Sequence, residues 1–465
     1  MGPKRRPEPP NPRTPEPERL MEDKILEMAE ARGVKAEVFG SEENRTVVEF
    51  RANEFYSQDS RLTRGYGLRV VKNGRVGFSS SSDPDKIGEL VQAAIDTTEF
   101  GKQCSFEFPG PLGTRSEMSD ISVMSLPAVK TFENRVIVMP AVKMIEWGRE
   151  LVDAVRARVP GLKLDVTLGR TYGETVIANS AGLQKRFSRA TLELSATGLV
   201  VSDGLVWISE YENLSSGAAP SIGALADGIE ERAIFARSRA RLATGTYPVI
   251  FMPTAVPDLL YPLMVGVNGK QLEKGVSPLI GKTGQKLLDE KITIADNGLR
   301  DFGTASGPFD AEGLPRRRTV LFDRGVFTGF LFDLATAAAC NMQSTGSARR
   351  GYTSQPQPGV SNIELAHGGA RVENVLAGIN EGLLVYDCIG GGQSNVLAGD
   401  VAINVSSGFR IGNGKVTGRV KDTMIAGNVY EMFKNVAAVG NTVRDLGSHY
   451  MPFLMFSGLK VATRD

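Results

Sequence analysis

The sequence predicts an α+β protein: an N-terminal α/β domain with a mostly antiparallel sheet and packed helices, then a C-terminal β-rich barrel or sandwich. Three observations predict it. At 465 residues the chain is well beyond the ~100–150 residues of a typical domain, so it holds more than one. Its 52 glycines follow no strict repeat, which favours tight turns and short strands over a helical bundle. Finally, the texture changes between Leu242 and Tyr247: mixed helical and strand periodicity precedes this point, and short apolar runs separated by Gly-containing turns follow it.

Residues 1–17 carry seven prolines and no apolar run, and they read as a disordered tail without the apolar core of a secretory signal. Helical spacing starts near Glu18, with Leu20, Ile25, Met28 and Ala29 apolar and Gly33 suited to the stop. Val47–Phe50 and Gly67–Val71 read as short strands. The second continues through Asn73-Gly74, a type I′ hairpin signal, into Val76 and Phe78. Pro84 opens a helix whose inner face is Ile87, Leu90, Val91, Ala94 and Ile95. Gly101–Lys130, rich in Gly, Pro and Ser, reads as a linker.

Ala141–Val159 is predicted helical, and Leu162, Leu164, Val166 and Leu168 alternate as a half-buried strand. A meander follows, with Val176–Ala178, a turn at Asn179–Gly182, and Leu192, Leu194 and Ala196. Ile222–Leu242 reads as the last helix of the N-terminal domain, 18–244. The C-terminal domain, 245–465, combines strands such as Val249–Met252 and Thr319–Phe322 with turns at Asp323–Gly325 and Asn413-Gly414, and with helical patches at Ala255–Gly266 and Leu331–Met342.

Composition excludes several function classes. Lys and Arg number 54 against 53 Asp and Glu, so no global field favours nucleic acid or an anionic membrane. No run of 18 or more apolar residues occurs, which argues against a membrane helix. Three cysteines, Cys104, Cys340 and Cys388, match neither a disulfide framework nor paired zinc ligands, and they fit a reducing cytoplasm. The two histidines, His367 and His449, are too far apart for an HExxH helix. Gly275–Thr283 ends in Gly-Lys-Thr, but five residues separate its glycines and one is Pro278, so it fails as a phosphate loop. Asp310 and Glu312 are candidates for an acid/base pair or for hard-cation ligands, with backbone-capping turn residues as the competing reading. Arg349 and Arg350, beside Tyr352, are candidates for gripping a carboxylate or an extended peptide.

Several blocks together resemble the PmbA/TldE branch of the TldD/PmbA family. They are Arg64-Gly65-Tyr66-Gly67-Leu68-Arg69-Val70, Asn179–Gly182, Gly307–Gly313, Ser344–Tyr352, Gly399-Asp400, Ile411–Gly414, and Ile425–Asn428 running on to Asn441. The resemblance implies a subunit that pairs with a TldD-like zinc metallopeptidase and acts on peptides or unfolded proteins, including modified peptide precursors. The TldD branch carries HExxxH, two histidine ligands and a glutamate that activates water. The corresponding segment here, Asp258–Gly266, has no histidine or glutamate and contains Pro262, and no cysteine lies between Gly440 and Asp465. The expectation is therefore a heterodimer in which this chain contributes no metal ligand and no catalytic residue, with zinc in the partner. A homodimer is the alternative assembly. The alternative function is an independent peptidase or hydrolase around Asp310, Glu312, Arg349 and Tyr352.

Overall fold

The computed structural model describes residues 20–111, 126–201 and 205–464; the proline-rich tail and residues 112–125 of the linker lie outside the described residues. The architecture is mixed α+β, as the periodicities predict. The first sheet is a six-stranded antiparallel array ordered β3-β2-β1-β4-β5-β6. Its strands are β1 (Lys35–Arg51), β2 (Glu54–Lys72), β3 (Arg75–Ser81), β4 (Lys163–Asn179), β5 (Gln184–Val201) and β6 (Leu205–Asn213). The helices are α1 (Met21–Glu30), α2 (Ile87–Asp96), α3 (Asn134–Ile137), α4 (Ala141–Arg158) and α5 (Ile222–Arg237).

Alternation along β1 and β2 decides what each face covers. Ala36, Val38, Leu68 and Val70 pack beneath Ile25, Leu90, Val91 and Ala94 of α1 and α2. Farther along the sheet, Val48, Leu164, Val166 and Leu168 pack with Met144, Leu151 and Val155 of α4 and Ile229 of α5. Asn73 and Gly74 take the left-handed conformations that the hairpin turn requires. The strands are much longer than their apolar runs. β1 and β2 stay paired through Glu42–Arg45 and Ser60–Arg64, because backbone pairing and polar cross-strand neighbours sustain a ribbon that hydropathy does not mark.

From Gly245 the chain forms β7 (Gly245–Phe251), α6 (Val256–Gly266), α7 (Gly269–Glu273), β8 (Ile294–Asn297), β9 (Arg318–Asp323) and β10 (Val326–Phe327). Next come α8 (Leu334–Ala339), β11 (Ala348–Arg349), β12 (Gln357–Pro358), β13 (Ile363–Leu365), β14 (Glu381–Ile389) and β15 (Asp400–Gly412). The last strands are β16 (Lys415–Arg419), β17 (Thr423–Asn428), β18 (Val436–Val439), β19 (Arg444–Asp445), β20 (His449–Met451) and β21 (Leu454–Thr463).

Strands β14-β7-β21-β17-β15 pair in that order, and the β14–β15 pairing closes them into a barrel. This resolves the choice between barrel and sandwich. The β14–β7 pairing is parallel and the others in the ring are antiparallel. A second sheet, β10-β9-β8-β13-β20-β19, lies in the same half, and both share a core that includes Phe251, Phe322, Phe327, Phe433 and Phe456. The helix expected over Leu331–Met342 is shorter because Asp333 caps it in a capping box with Thr336. Likewise α5 stops at Arg237, short of Leu242. No helix among the described residues is long and apolar enough to cross a membrane.

Candidate functional site

The second face of β1 and β2 meets the C-terminal half along a seam of buried charge. Glu37 and Arg69 are directly opposite in the β1–β2 register, on the face away from α1 and α2. Glu37 accepts ion pairs from Arg69 at 2.9 Å and from Arg350 at 2.8 Å, and Arg69 makes a second pair with Glu312 at 2.9 Å. All four side chains are 0–2% exposed. Glu312 uses its other oxygen to accept the Leu334 amide at the start of α8, 2.7 Å away. Two strands of the first sheet are thereby joined to two loops of the C-terminal half.

Burial works against the charge of Arg69, but Glu37 and Glu312 outweigh it and hold its pKa above the ordinary value. Burial dominates at Glu312, where the opposing pull of Arg69 is offset by Asp333, Asp310 and Glu37. Its carboxyl is pushed up to about 8. Burial thus favours the neutral form of Glu312, against the pull of Arg69.

Asp310 does the work of a turn residue. Its carboxylate accepts the amides of Glu312, Leu314 and Ala348 at 2.9–3.0 Å, which fixes the Pro308–Gly313 turn against β11. Burial raises its pKa while these amide bonds lower it, and burial prevails. Asp310 and Glu312 are 2% and 0% exposed, so neither carboxyl meets solvent.

Arg349 is exposed and donates to the Val360 carbonyl, whereas Arg350 has a fully buried side chain directed to Glu37. Tyr352 sits half-buried on β2: a Cβ at Gly65 would lie 2.3 Å from its ring, and one at Gly67 would lie 2.3 Å from its carbonyl oxygen. Those two glycines admit the loop where any side chain would block it. The three residues thus share a short stretch of chain but face different surroundings.

Glu37 and Arg69 escaped the sequence reading as site residues. The available signal was a charged residue inside a run buried on both faces, Ala36-Glu37-Val38 and Leu68-Arg69-Val70, where an isolated charge would cost several kcal/mol.

A groove of ≈ 830 Å³ lies beside β9, lined in part by Arg317, Arg318, Phe330, Phe332 and Met342. Arg318 is held by Glu364 at its rim, and Arg317 donates to the Ser344 and Thr345 carbonyls. Helix α6, which the resemblance aligns with a metal-binding helix, presents a half-exposed Tyr261 and buries Pro262. Among the described residues, no three His, Cys, Asp or Glu side chains converge in a metal-binding group. His367 is exposed, and burial depresses the pKa of His449. Cys340 and Cys388 pack against the C-terminal core, and burial raises both thiols, contrary to what a thiolate nucleophile needs.

Comparison with known proteins places these features in a family. The model of the PmbA/TldA metallopeptidase C-terminal domain matches residues 244–463, and that of the PmbA/TldA metallopeptidase domain 1 matches residues 36–97. The metalloprotease PmbA of Escherichia coli O157:H7 is 25% identical over 94% of both chains. An uncharacterized protein of Methanocaldococcus jannaschii is 26% identical over 94% of this chain and 98% of its own length. The crystal structure of TldE from Thermococcus kodakarensis shares the fold, with a TM-score of 0.85 and 21% identity over 95% of this chain and 100% of the other. Two domain models in sequence, with relatives matched along nearly the whole length, make this chain a member of the PmbA/TldD metallopeptidase family.

Proposed function

We propose that this chain is the subunit without metal ligands in a two-chain peptidase of its family, paired with a TldD-like zinc subunit. Helix α6 carries the reading: where a zinc peptidase needs two histidines and a glutamate on one helix face, this helix offers Asp258, Tyr261 and a buried Pro262. The donor set does not fit zinc, so no hydrolytic step is assigned to this chain. The name TldE, borne by the Thermococcus kodakarensis structure of the same fold, supports the branch.

Its role is then to complete a path for unfolded peptides or modified peptide precursors. The groove beside β9 falls in the size range of ligand sites and combines an aromatic floor with arginines at the rim. Of the loop residues, Arg349 and Tyr352 reach the surface as peptide contacts, and Arg350 anchors their loop to Glu37. A domain boundary near 244/245 would assign the first sheet and the barrel to separate units. A cytoplasmic location fits the three free cysteines. The independent-hydrolase reading finds less support, since Asp310 is committed to three backbone amides and Glu312 to Arg69 and the Leu334 amide.

The test is association. Mixed with a TldD-like HExxxH chain, this protein should sediment as a stoichiometric complex that retains zinc, and alone it should hold well under one zinc per molecule after dialysis against a weak chelator. Separate sedimentation of the two chains would reject the subunit role.

A further inference from the structure

A cavity of ≈ 170 Å³ lies between the first sheet and the loops of the C-terminal half, and its lining includes Arg189, Arg316, Arg349 and Arg350. Only two carboxylates, Glu43 and Asp310, line it with them. Asp310 is already committed to three backbone amides, and Glu43 is exposed at the rim. Three of the arginines rest on neutral carbonyls. Arg189 donates to Ser306 at 2.7 Å, Arg316 to Phe309 at 3.0 Å, and Arg349 to Val360.

Donors are left over. The Nε of Arg189 and the Nε and Nη1 of Arg350 are buried without a hydrogen-bond partner, although the Arg350 side chain is 0% exposed. A buried unpaired N–H is costly, and more so on a cation. The arginines also repel one another: burial first, then Arg316 and Arg349, push Arg189 down to about 10. Arg189 and Arg350 lie against the rings of Phe187 and Phe39, which hold the guanidinium planes in place. Fixed guanidiniums with donors to spare, as at Arg189 and Arg350, are what planar or tetrahedral oxyanions bind.

We propose that this cavity is an oxyanion-binding pocket, taking a carboxylate or phosphate group between Arg189, Arg316, Arg349 and Arg350. It shares Arg349 with the peptide surface proposed above but does not rest on that reading, because anion binding by the chain alone needs no peptidase partner. The group arrives either on free phosphate or at the end of a peptide.

Titration calorimetry on the full chain in low-chloride buffer decides, with three probes: inorganic phosphate, a short N-acetylated peptide with a free C-terminus, and the same peptide as its C-terminal amide. Saturable binding of phosphate or of the free-acid peptide, with no binding of the amide, supports the pocket, and the tighter of the two identifies the source. Arg189→Gln should weaken that binding about tenfold or more. The exposed Arg349→Gln should weaken it in the same direction and is the safeguard if the first variant does not fold. Glu43→Gln should tighten binding severalfold by removing an opposing charge, an effect general destabilisation does not produce. No binding of either anion, equal binding of the amide, or unchanged binding in both arginine variants overturns the proposal.

Discussion

Replacing Glu37 by Gln removes the charge that two buried guanidiniums share while keeping the side chain's shape. Arg69 and Arg350 are both at 2.8–2.9 Å from Glu37 Oε1, and breaking a buried pair by removing one partner costs about 3–5 kcal/mol. For a cooperative unit of about 200 residues, ~2–4 °C per kcal/mol converts this to a fall in Tm of roughly 6–20 °C. The structure contains a partial rescue. With its carboxyl pushed up to about 8, Glu312 can ionise and take over Arg69. Loss of the Glu37 charge, which helps to raise Glu312, makes that ionisation easier in the variant than in wild type, and it becomes easier still as pH rises. The Tm difference between wild type and Glu37→Gln should therefore be larger at pH 6 than at pH 9, measured by calorimetry or by intrinsic fluorescence. A fall below about 2 °C at pH 6 would refute the buried network, and equal falls at both pH values would refute the protonated Glu312.

Three further outcomes concern Glu312, the glycines and a second buried ion-pair network. Because its pKa is raised in the folded state, Glu312 contributes stability that is fully present below its unfolded value near 4.5 and is lost as pH rises through about 8; Glu312→Gln, which mimics the protonated form, should match wild type near pH 5 and exceed it at pH 9 in urea unfolding. Gly67→Ala drives a Cβ against the Tyr352 carbonyl oxygen and should cost about 1–3 kcal/mol, whereas Gly33→Ala, in open space but left-handed at φ +72, should cost only about 1 kcal/mol; both are read from the urea midpoint. Glu210→Gln strands Arg232, whose side chain is 0% exposed and which Glu210 binds together with Arg444, and should lower stability by about 3–5 kcal/mol in urea.

Much of the fold was legible where apolar alternation met a turn signal. The Asn73-Gly74 and Asp323–Gly325 hairpins, α2 behind Pro84, and α4 with the Leu164–Leu168 strand are all carried by local sequence. The long ends of β1 and β2 were not, because Glu42–Arg45 and Ser60–Arg64 stay in the sheet through backbone pairing, which leaves no hydrophobic trace. Barrel closure was equally hidden, since the β14–β15 and β14–β7 pairings join segments far apart in sequence. At the seam, the Gly65, Gly67 and Tyr352 blocks stood out as motifs, but their meeting depends on tertiary contact across nearly three hundred residues. Asp310 behaved as the turn chemistry of Pro308–Gly313 predicts. Arg350 could be read as a surface cation only because nothing in Ala348–Tyr352 reports that Glu37 waits beneath it.

The central claim is that this chain assists peptide hydrolysis without performing it. The most direct measurement follows cleavage of an unstructured peptide by this chain alone, by a TldD-like HExxxH chain alone, and by the two together. The account predicts no cleavage by this chain, cleavage by the mixture, and its loss when the HExxxH glutamate of the partner is replaced. Robust, chelator-resistant cleavage by this chain alone would contradict it.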